Sequence, residues 1–302
     1  MTQQWSPMND VPSLKGKIAV VTGGNNDIGR EMARLLVKKS AKVYFTTRSE
    51  AKAIEARKKI LDAHPDINFE NLQWMTMDLA DIWSVTSAAE KMKEKESKVD
   101  ILVHNAAAAI TSTGLVGPGW EVHMATNFIG PFLFPNRLLP LLKKALQDRD
   151  ADVRRYLGRF IFGFDTTRYG VSKAANLIFA QELQRLMDEQ NLLILSIAVH
   201  PGEVATEGVF SINPSLVKTI ARRTFISPEQ GAVTPIFAAA SKEIRQDPSK
   251  CKGRFVFPGG KIGNPNPVTS NEEQVTGLWR NATEEVAAQL RVRGLPSLQP
   301  WY

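Results

Sequence analysis

Residues 17–29 read KIAVVTGGNNDIG, and the fold is decided there. Lys17–Thr22 is a short run rich in β-branched residues, the pattern of a buried strand. Gly23-Gly24-Asn25-Asn26-Asp27 makes a tight turn. Ile28–Lys39 then has helical spacing, with Ile28, Met32, Leu35 and Leu36 on one face. A glycine-rich turn from a first strand into a helix lets backbone approach a ligand closely. It also aims unpaired helix N–H groups at a phosphate. Thr22, Gly23, Asn25, Asn26, Asp27, Ile28 and Gly29 are therefore candidate cofactor-binding residues, although such a turn also occurs for purely structural reasons.

Downstream the alternation continues. Lys42–Thr47, Asn71–Met77 and Val99–His104 read as strands, and Ala51–Ala63 and Ile82–Lys95 as helices. From Trp120 to Leu146 the pattern is helical, with Gly130-Pro131 and Pro135 as expected breaks or kinks. Thr167–Gln190 reads as a long helix and Leu192–Val199 as a buried strand ending at His200-Pro201-Gly202. Pro228–Ser241 is helical, Arg254–Phe257 is the last short strand, and Asn271–Leu290 is the final helix. Strands alternating with helices imply right-handed crossovers. The expected fold is α/β: a single doubly wound parallel sheet of Rossmann type with helices on both faces. Its ligand should lie across the carboxyl ends of the strands. The expected organisation is an N-terminal extension (1–14), one domain (15–290) and a C-terminal tail (291–302), with no linker dividing it.

Composition narrows the function classes. The chain has 302 residues, 43% of them apolar and 23% charged, proportions that exclude disorder as the main state. The net charge of +7 invites a nucleic-acid partner. However, Lys91, Lys93, Lys95 and Lys98 interleave with Glu90, Glu94 and Glu96, as on a solvated helix face, and no nucleic-acid partner is expected. One cysteine, Cys251, excludes an intrachain disulfide. The scattered histidines give no metal-ligand pattern, so no metal is expected. No apolar run approaches the ~20 residues of a membrane span, and the N-terminus lacks signal-peptide regions, so a cytoplasmic location is expected.

Two further motifs carry chemistry. Thr46-Thr47-Arg48-Ser49 ends the second strand. A carboxylate there would select NAD by bonding the ribose, whereas the Arg48 guanidinium suits a 2′-phosphate. Tyr169-Gly-Val-Ser-Lys173 sets a phenol and an amine one helical turn apart. An ammonium beside a phenol favours the phenolate and lowers its pKa from about 10, giving a proton donor near neutral pH.

With these motifs in order, the chain resembles the classical short-chain dehydrogenase/reductase family, in its retinol-dehydrogenase-like and fungal secondary-metabolism branch. The resemblance runs from about Leu14 to Leu290. It rests on the glycine-rich loop, Asp78-Leu79, Val99-Asp-Ile-Leu-Val-His-Asn105-Ala106-Ala, Asn127-Phe-Ile-Gly130-Pro-Phe, Tyr169 to Lys173 and His200-Pro201-Gly202. It implies an oxidoreductase acting on a small molecule; with Arg48 the expected cofactor is NADP(H), the residues of Glu203–Ile226 suggest an apolar substrate, and a homo-oligomer is a further expectation. It implies catalytic roles for Tyr169, Lys173 and Asn127, Asn127 holding a water that relays protons. Lys173 would also bond the nicotinamide ribose. Asp78 and Leu79 would lie near adenine, and Asn105 and Ala106 beside the adenosine half. Pro201, Gly202 and Val204 would shape the nicotinamide pocket.

Two departures stand out. Asp27 replaces the second loop glycine, bringing a carboxylate toward the pyrophosphate. The family's serine at the end of strand five is missing, for no serine lies between Asp148 and Arg168. Strand five itself is either Arg159–Phe164 or a segment near Val153. Losing one transition-state donor typically costs 10²–10³-fold in rate. The options are a slow enzyme with a substitute donor, a non-redox cyclase or isomerase or an impaired binding protein on the same fold, or a lost stretch of sequence. Glu203–Ile226 is the expected lid, with Val209, Phe210, Leu216, Val217, Ile220 and Phe225 as its apolar side. Leu183, Leu186 and Met187 read as core or a subunit seam. His123 and His200 read as packed or surface histidines rather than bases. The Arg291–Tyr302 tail either covers a surface or stays loose.

Overall fold

The first four apolar runs form strands at the expected places: β1 (Ile18–Thr22), β2 (Lys42–Thr47), β3 (Leu72–Thr76) and β4 (Ile101–His104). The computed structural model describes residues 5–108, 114–147, 153–158, 166–207, 224–263 and 271–301. Its later strands are β5 (Val153–Gly158), β6 (Ile194–Val199), β7 (Phe255–Phe257) and β8 (Lys261–Gly263). All join one sheet in the order β8-β7-β6-β5-β4-β1-β2-β3. Only the β7–β8 pair is antiparallel. The chain steps outward from β1 through β2 to β3, then returns to place β4 on the other side of β1. The topological switch point thus lies between the carboxyl ends of β1 and β4.

Among the described residues, the long helices that cover the sheet are α1 (Asp27–Lys38), α2 (Glu50–Ala63), α3 (Ile82–Lys95), α4 (Gly130–Ala145), α5 (Thr166–Glu189), α6 (Pro228–Ala240) and α7 (Glu272–Val292). β1 and β6 are buried at every position because both faces are covered. One layer sets α1, α2 and α6 against the sheet through Met32, Leu36, Ile60 and Ile236. The other sets α3, α4, α5 and α7 against it through Val85, Phe132, Phe179 and Val286. Local signals start the helices where the topology needs them. Ser227-Pro228-Glu-Gln230 forms a capping box with proline in the first turn, and the Ser49 hydroxyl caps α2. At the amino end of the strands, the fully buried Asp100 carboxylate accepts from the Ile18 amide at 2.9 Å and pairs with Lys17 at 3.2 Å.

Four expectations need correction or completion. Trp120–Leu146 is not one kinked helix. Trp120–Glu121 pairs with Leu115–Val116 in a small antiparallel ladder, and a helical turn at Val122–Met124 leads into a π-helical turn, Ala125–Ile129. α4 then runs unbroken through Pro135 and Pro140. The disruption of the α ladder falls in the π turn instead, where the Gly130 amide reaches back five residues to Ala125. Of the two positions for strand five, the segment at Val153 pairs with β4 and β6; Arg159–Phe164 lies outside the described residues. Arg254–Phe257 is not the last strand, because positive φ angles at Gly259 and Gly260 return the chain as β8. Leu183, Leu186 and Met187 are buried within the chain's own core.

Both terminal segments pack on the domain. Val11 and Leu14 join the layer of α1 and α6. At the other end Trp301 is buried among Phe132, Phe179 and Trp279, with ring centroids 5.7, 6.3 and 5.3 Å away. Asn136 and Gln299 exchange two hydrogen bonds, and the buried Arg137 guanidinium donates to the carbonyls of Pro296 and Ser297. The tail is therefore a strap over α4 and α5. Trp301→Ala should lower unfolding stability by about 3–5 kcal/mol, the usual loss for a buried Trp, measured by urea denaturation. A change below about 1 kcal/mol would mean the strap is not part of the core.

Candidate functional site

The switch point is closed by one side chain. Thr22, fully buried at the end of β1, accepts at Oγ1 from the amides of Asn105 and Ala106, each at 3.1 Å. The Asn105 side chain returns the contact, donating to the Thr22 carbonyl at 3.0 Å and the Gly23 carbonyl at 3.3 Å. Gly23 has φ +66°, and a Cβ on Gly29 would lie 2.2 Å from the Gly23 carbonyl oxygen. Only glycine at position 29 lets α1 start so close beneath the loop. Gly24 presses on Phe45, and its amide donates to the Thr46 carbonyl, which ties the loop to the end of β2.

Asp27 begins α1 in the left-handed region, φ +45°. It thus keeps the backbone shape that a glycine would give, at a cost that Asp bears better than most residues. Its carboxylate accepts from the Glu207 amide at 3.2 Å, and Asn26 donates to the Glu207 carboxylate at 3.3 Å. Two carboxylates therefore face the first turn of α1. Burial, and then the negative charge of Glu207, push the Asp27 carboxyl up against the opposing effects of the Glu207 amide and Arg30. Sequence reading missed Glu207. Its contacts span 180 and 181 residues, and no local pattern announces them.

At the adenosine end, Arg48 is exposed just beyond β2 and makes no hydrogen bond or ion pair with a described residue. Asp78 accepts from the Ala80 amide at 2.9 Å in a turn after β3, and Leu79 is buried beneath the start of α4. At the other end, Gly202 has φ +97° and donates its amide to His200 Nδ1 at 2.9 Å. Val204 is buried against Gly231 and bridges to Ile226. Val209, Phe210, Leu216, Val217 and Ile220 lie outside the described residues, as do the side chains of Tyr156, Thr166 and Thr167.

The three candidate catalytic residues come together. Asn127, in the π turn, exchanges hydrogen bonds with both backbone groups of Ala108, at 2.7 and 3.0 Å. It also donates to Ser172 Oγ at 3.0 Å, whose hydroxyl donates to the Tyr169 carbonyl at 2.7 Å. Ser172 was not singled out from sequence; its spacing of three from Tyr169 on one helix was the available signal. Lys173 sits with its ammonium 5.3 Å from the centre of the Tyr169 ring. It is buried and has no hydrogen bond or ion pair to a described residue, and burial lowers its pKa to about 8.

The profile of the short chain dehydrogenase family matches residues 17–216. The chain is 35% identical, over 300 residues, to the short chain dehydrogenase/reductase dpchH of Colletotrichum higginsianum, covering 90% of this chain and 75% of the relative. It is 33% identical to dpfgH of Gibberella zeae, over 94% of this chain and 85% of that one. A solved structure titled as the RhlG/NADP active-site complex of Pseudomonas aeruginosa shares the fold, with TM-score 0.64 and 23% identity, covering 82% of this chain and 97% of the other. The chain belongs to the short-chain dehydrogenase/reductase family.

The family implies a nicotinamide dinucleotide, and two features of the site fit one. The first turn of α1 has no side-chain cap, leaving amides for an anion. The Lys173 ammonium is buried without the partner that ribose hydroxyls would provide. A dinucleotide phosphate at this helix end would meet the Asp27–Glu207 pair, and like charges about 4 Å apart repel by ~1 kcal/mol in water and ~4 at an intermediate dielectric. Asp27→Gly and Glu207→Gln should each tighten dinucleotide binding about fivefold or more, read by fluorescence titration. With its raised pKa, Asp27 sheds its charge earlier on acidification than an ordinary aspartate, so the advantage of Asp27→Gly should shrink as pH falls.

Lys173 gives a stability prediction of definite sign. Below pH 8 the folded protein carries a buried charge whose shift from 10.5 to about 8 corresponds to roughly 3 kcal/mol of destabilisation. Between pH 8 and 10.5 the unfolded chain binds more protons than the folded one, so stability rises with pH and the penalty fades. Lys173→Met should raise the melting temperature of cofactor-free protein at pH 7, and the gain should vanish above pH 10.5. A lower melting temperature at pH 7 would contradict the assigned burial penalty.

Proposed function

We propose that the protein is an NADP(H)-dependent carbonyl reductase, or alcohol dehydrogenase in reverse, acting on an apolar small molecule, in keeping with a cytoplasmic enzyme of secondary metabolism. The observation that carries the reading is the packing of the Lys173 ammonium on the Tyr169 ring, braced through Ser172 by Asn127. Bound nicotinamide dinucleotide supplies or accepts the hydride. Tyr169 gives its phenolic proton to the developing alkoxide. The Lys173 ammonium stabilises the phenolate left behind and would hold the nicotinamide ribose. Asn127 holds the water through which the proton is replaced, its own amide being fixed on Ala108.

Thr22, Gly23, Asn25, Asn26, Ile28 and Gly29 would form the pyrophosphate cradle, with Asp27 weakening it. Arg48 would meet the 2′-phosphate, which favours NADP over NAD. Asp78, Leu79, Asn105 and Ala106 would line the adenosine half, and Pro201, Gly202 and Val204 the nicotinamide pocket. Its relationship to two fungal short-chain dehydrogenase/reductases supports the same class of chemistry.

A second reading is a non-redox cyclase, or a binding protein on the same fold. The two carboxylates at the first turn of α1 and the absence of a serine between Asp148 and Arg168 favour it. The test is NADPH oxidation over a panel of ketones and aldehydes, followed at about 340 nm. Wild type should turn over and Tyr169→Phe should lose at least ~10²-fold in kcat with NADPH affinity kept. Equal rates in the two would reject the role of Tyr169, and substrate turnover without absorbance change would favour the cyclase.

A further inference from the structure

A polar pair beside the phenol, His123 fully buried and Glu121 partly so, takes no part in that proton transfer. Glu121 starts the helical turn Val122–Met124. Its Oε2 accepts from the amides of His123 and Met124, each at 3.0 Å, and its Oε1 from His123 Nδ1 at 2.6 Å. Partial burial pushes this carboxyl up, but the bonds from His123 and Met124 outweigh it and hold the group below its usual value. One carboxylate thus keeps a proton on Nδ1 and fixes the plane of the ring.

The remainder of the ring points inward. His123 is fully buried, and its Nε2 has no hydrogen-bond partner among the described residues. Burying that nitrogen unpaired carries a desolvation cost that an apolar side chain in the same space would not incur. Packing alone therefore does not explain a histidine here. Its imidazole lies nearly perpendicular to the Tyr169 ring, with centroids 6.3 Å apart and planes at 77°. Lys173, from its own helix, and His123, backed by Glu121, from the turn before the π segment, both meet the phenol ring. Asn127, one turn beyond His123, reaches the Tyr169 backbone through Ser172.

We propose that His123, held by Glu121, is a positioning residue for Tyr169, setting the angle of the phenol ring and with it the ease of its ionisation. A perpendicular pair sets the edge hydrogens of one ring against the π face of the other, an arrangement whose electrostatics respond when the phenol becomes phenolate. The kinetic consequence rests on the reductase reading; the spectroscopic one does not.

The test uses the full chain as wild type, His123→Phe and Glu121→Gln. His123→Phe keeps an aromatic ring and loses the bond to Glu121; Glu121→Gln keeps the histidine and loosens it. Phenol ionisation in cofactor-free protein is followed by ultraviolet difference absorbance, with the Tyr169 component defined by subtracting Tyr169→Phe. Tyr44 stands apart because burial and Glu96 push it up to about 12. Both variants should move the Tyr169 component by about half a pH unit or more. They should also lower kcat about tenfold with NADPH affinity unchanged. An unmoved Tyr169 titration in either folded variant overturns the proposal. Absence of NADPH oxidation by wild type overturns the reductase reading instead, and the titration still decides the role of His123.

Discussion

Where the ladder between β1 and β4 stops, two side chains, Thr22 and Asn105, carry the pairing on into the loops that the site needs. Thr22 accepts two amides from the chain leaving β4, and Asn105 donates back to the two carbonyls leaving β1. Without them, two half-buried N–H groups would lose their partners, and the gap at the switch point would be less firmly closed. Because it is closed, the chain must leave β1 through a glycine at positive φ and enter α1 with no side chain at position 29. The direction of α1, the path of the loop and the contact with the end of β2 all follow.

The site is built against its own electrostatics. A buried lysine with no ion-pair partner among the described residues faces the phenol, and two like charges, Asp27 and Glu207, stand together at the first turn of α1. Neither arrangement favours the empty fold. Both are of the kind found where local rules yield to chemistry. The two conflicts differ in direction: an incoming dinucleotide would relieve the lysine and aggravate the carboxylates, so the two ends of one ligand meet opposite receptions.

What sequence could show depended on range. Period and turn chemistry are local, so β1 to β4 and α1 to α3 stand within two residues of the expected bounds. The Tyr169–Lys173 pairing needed only helical spacing. The π turn at Ala125–Ile129 was hidden because its five-residue step and a proline-kinked α helix leave the same trace in sequence. β8 was hidden by its length, three residues with one glycine. Glu207 at the mouth of the loop, and Trp301 among Phe132, Phe179 and Trp279, join residues that only the finished topology brings together. His123 was legible as a packed residue; that it packs on Tyr169 was not.

The strap also bears on how the protein is made. A ribosome delivers the chain from its amino end, so Phe132, Phe179 and the Arg137 guanidinium emerge long before residues 296–301, which cover them. Throughout that interval an aromatic face and a charge lacking its carbonyl partners stand open to other nascent chains. That aromatic face is covered in full, and the guanidinium receives its carbonyls, only once the strap has been made.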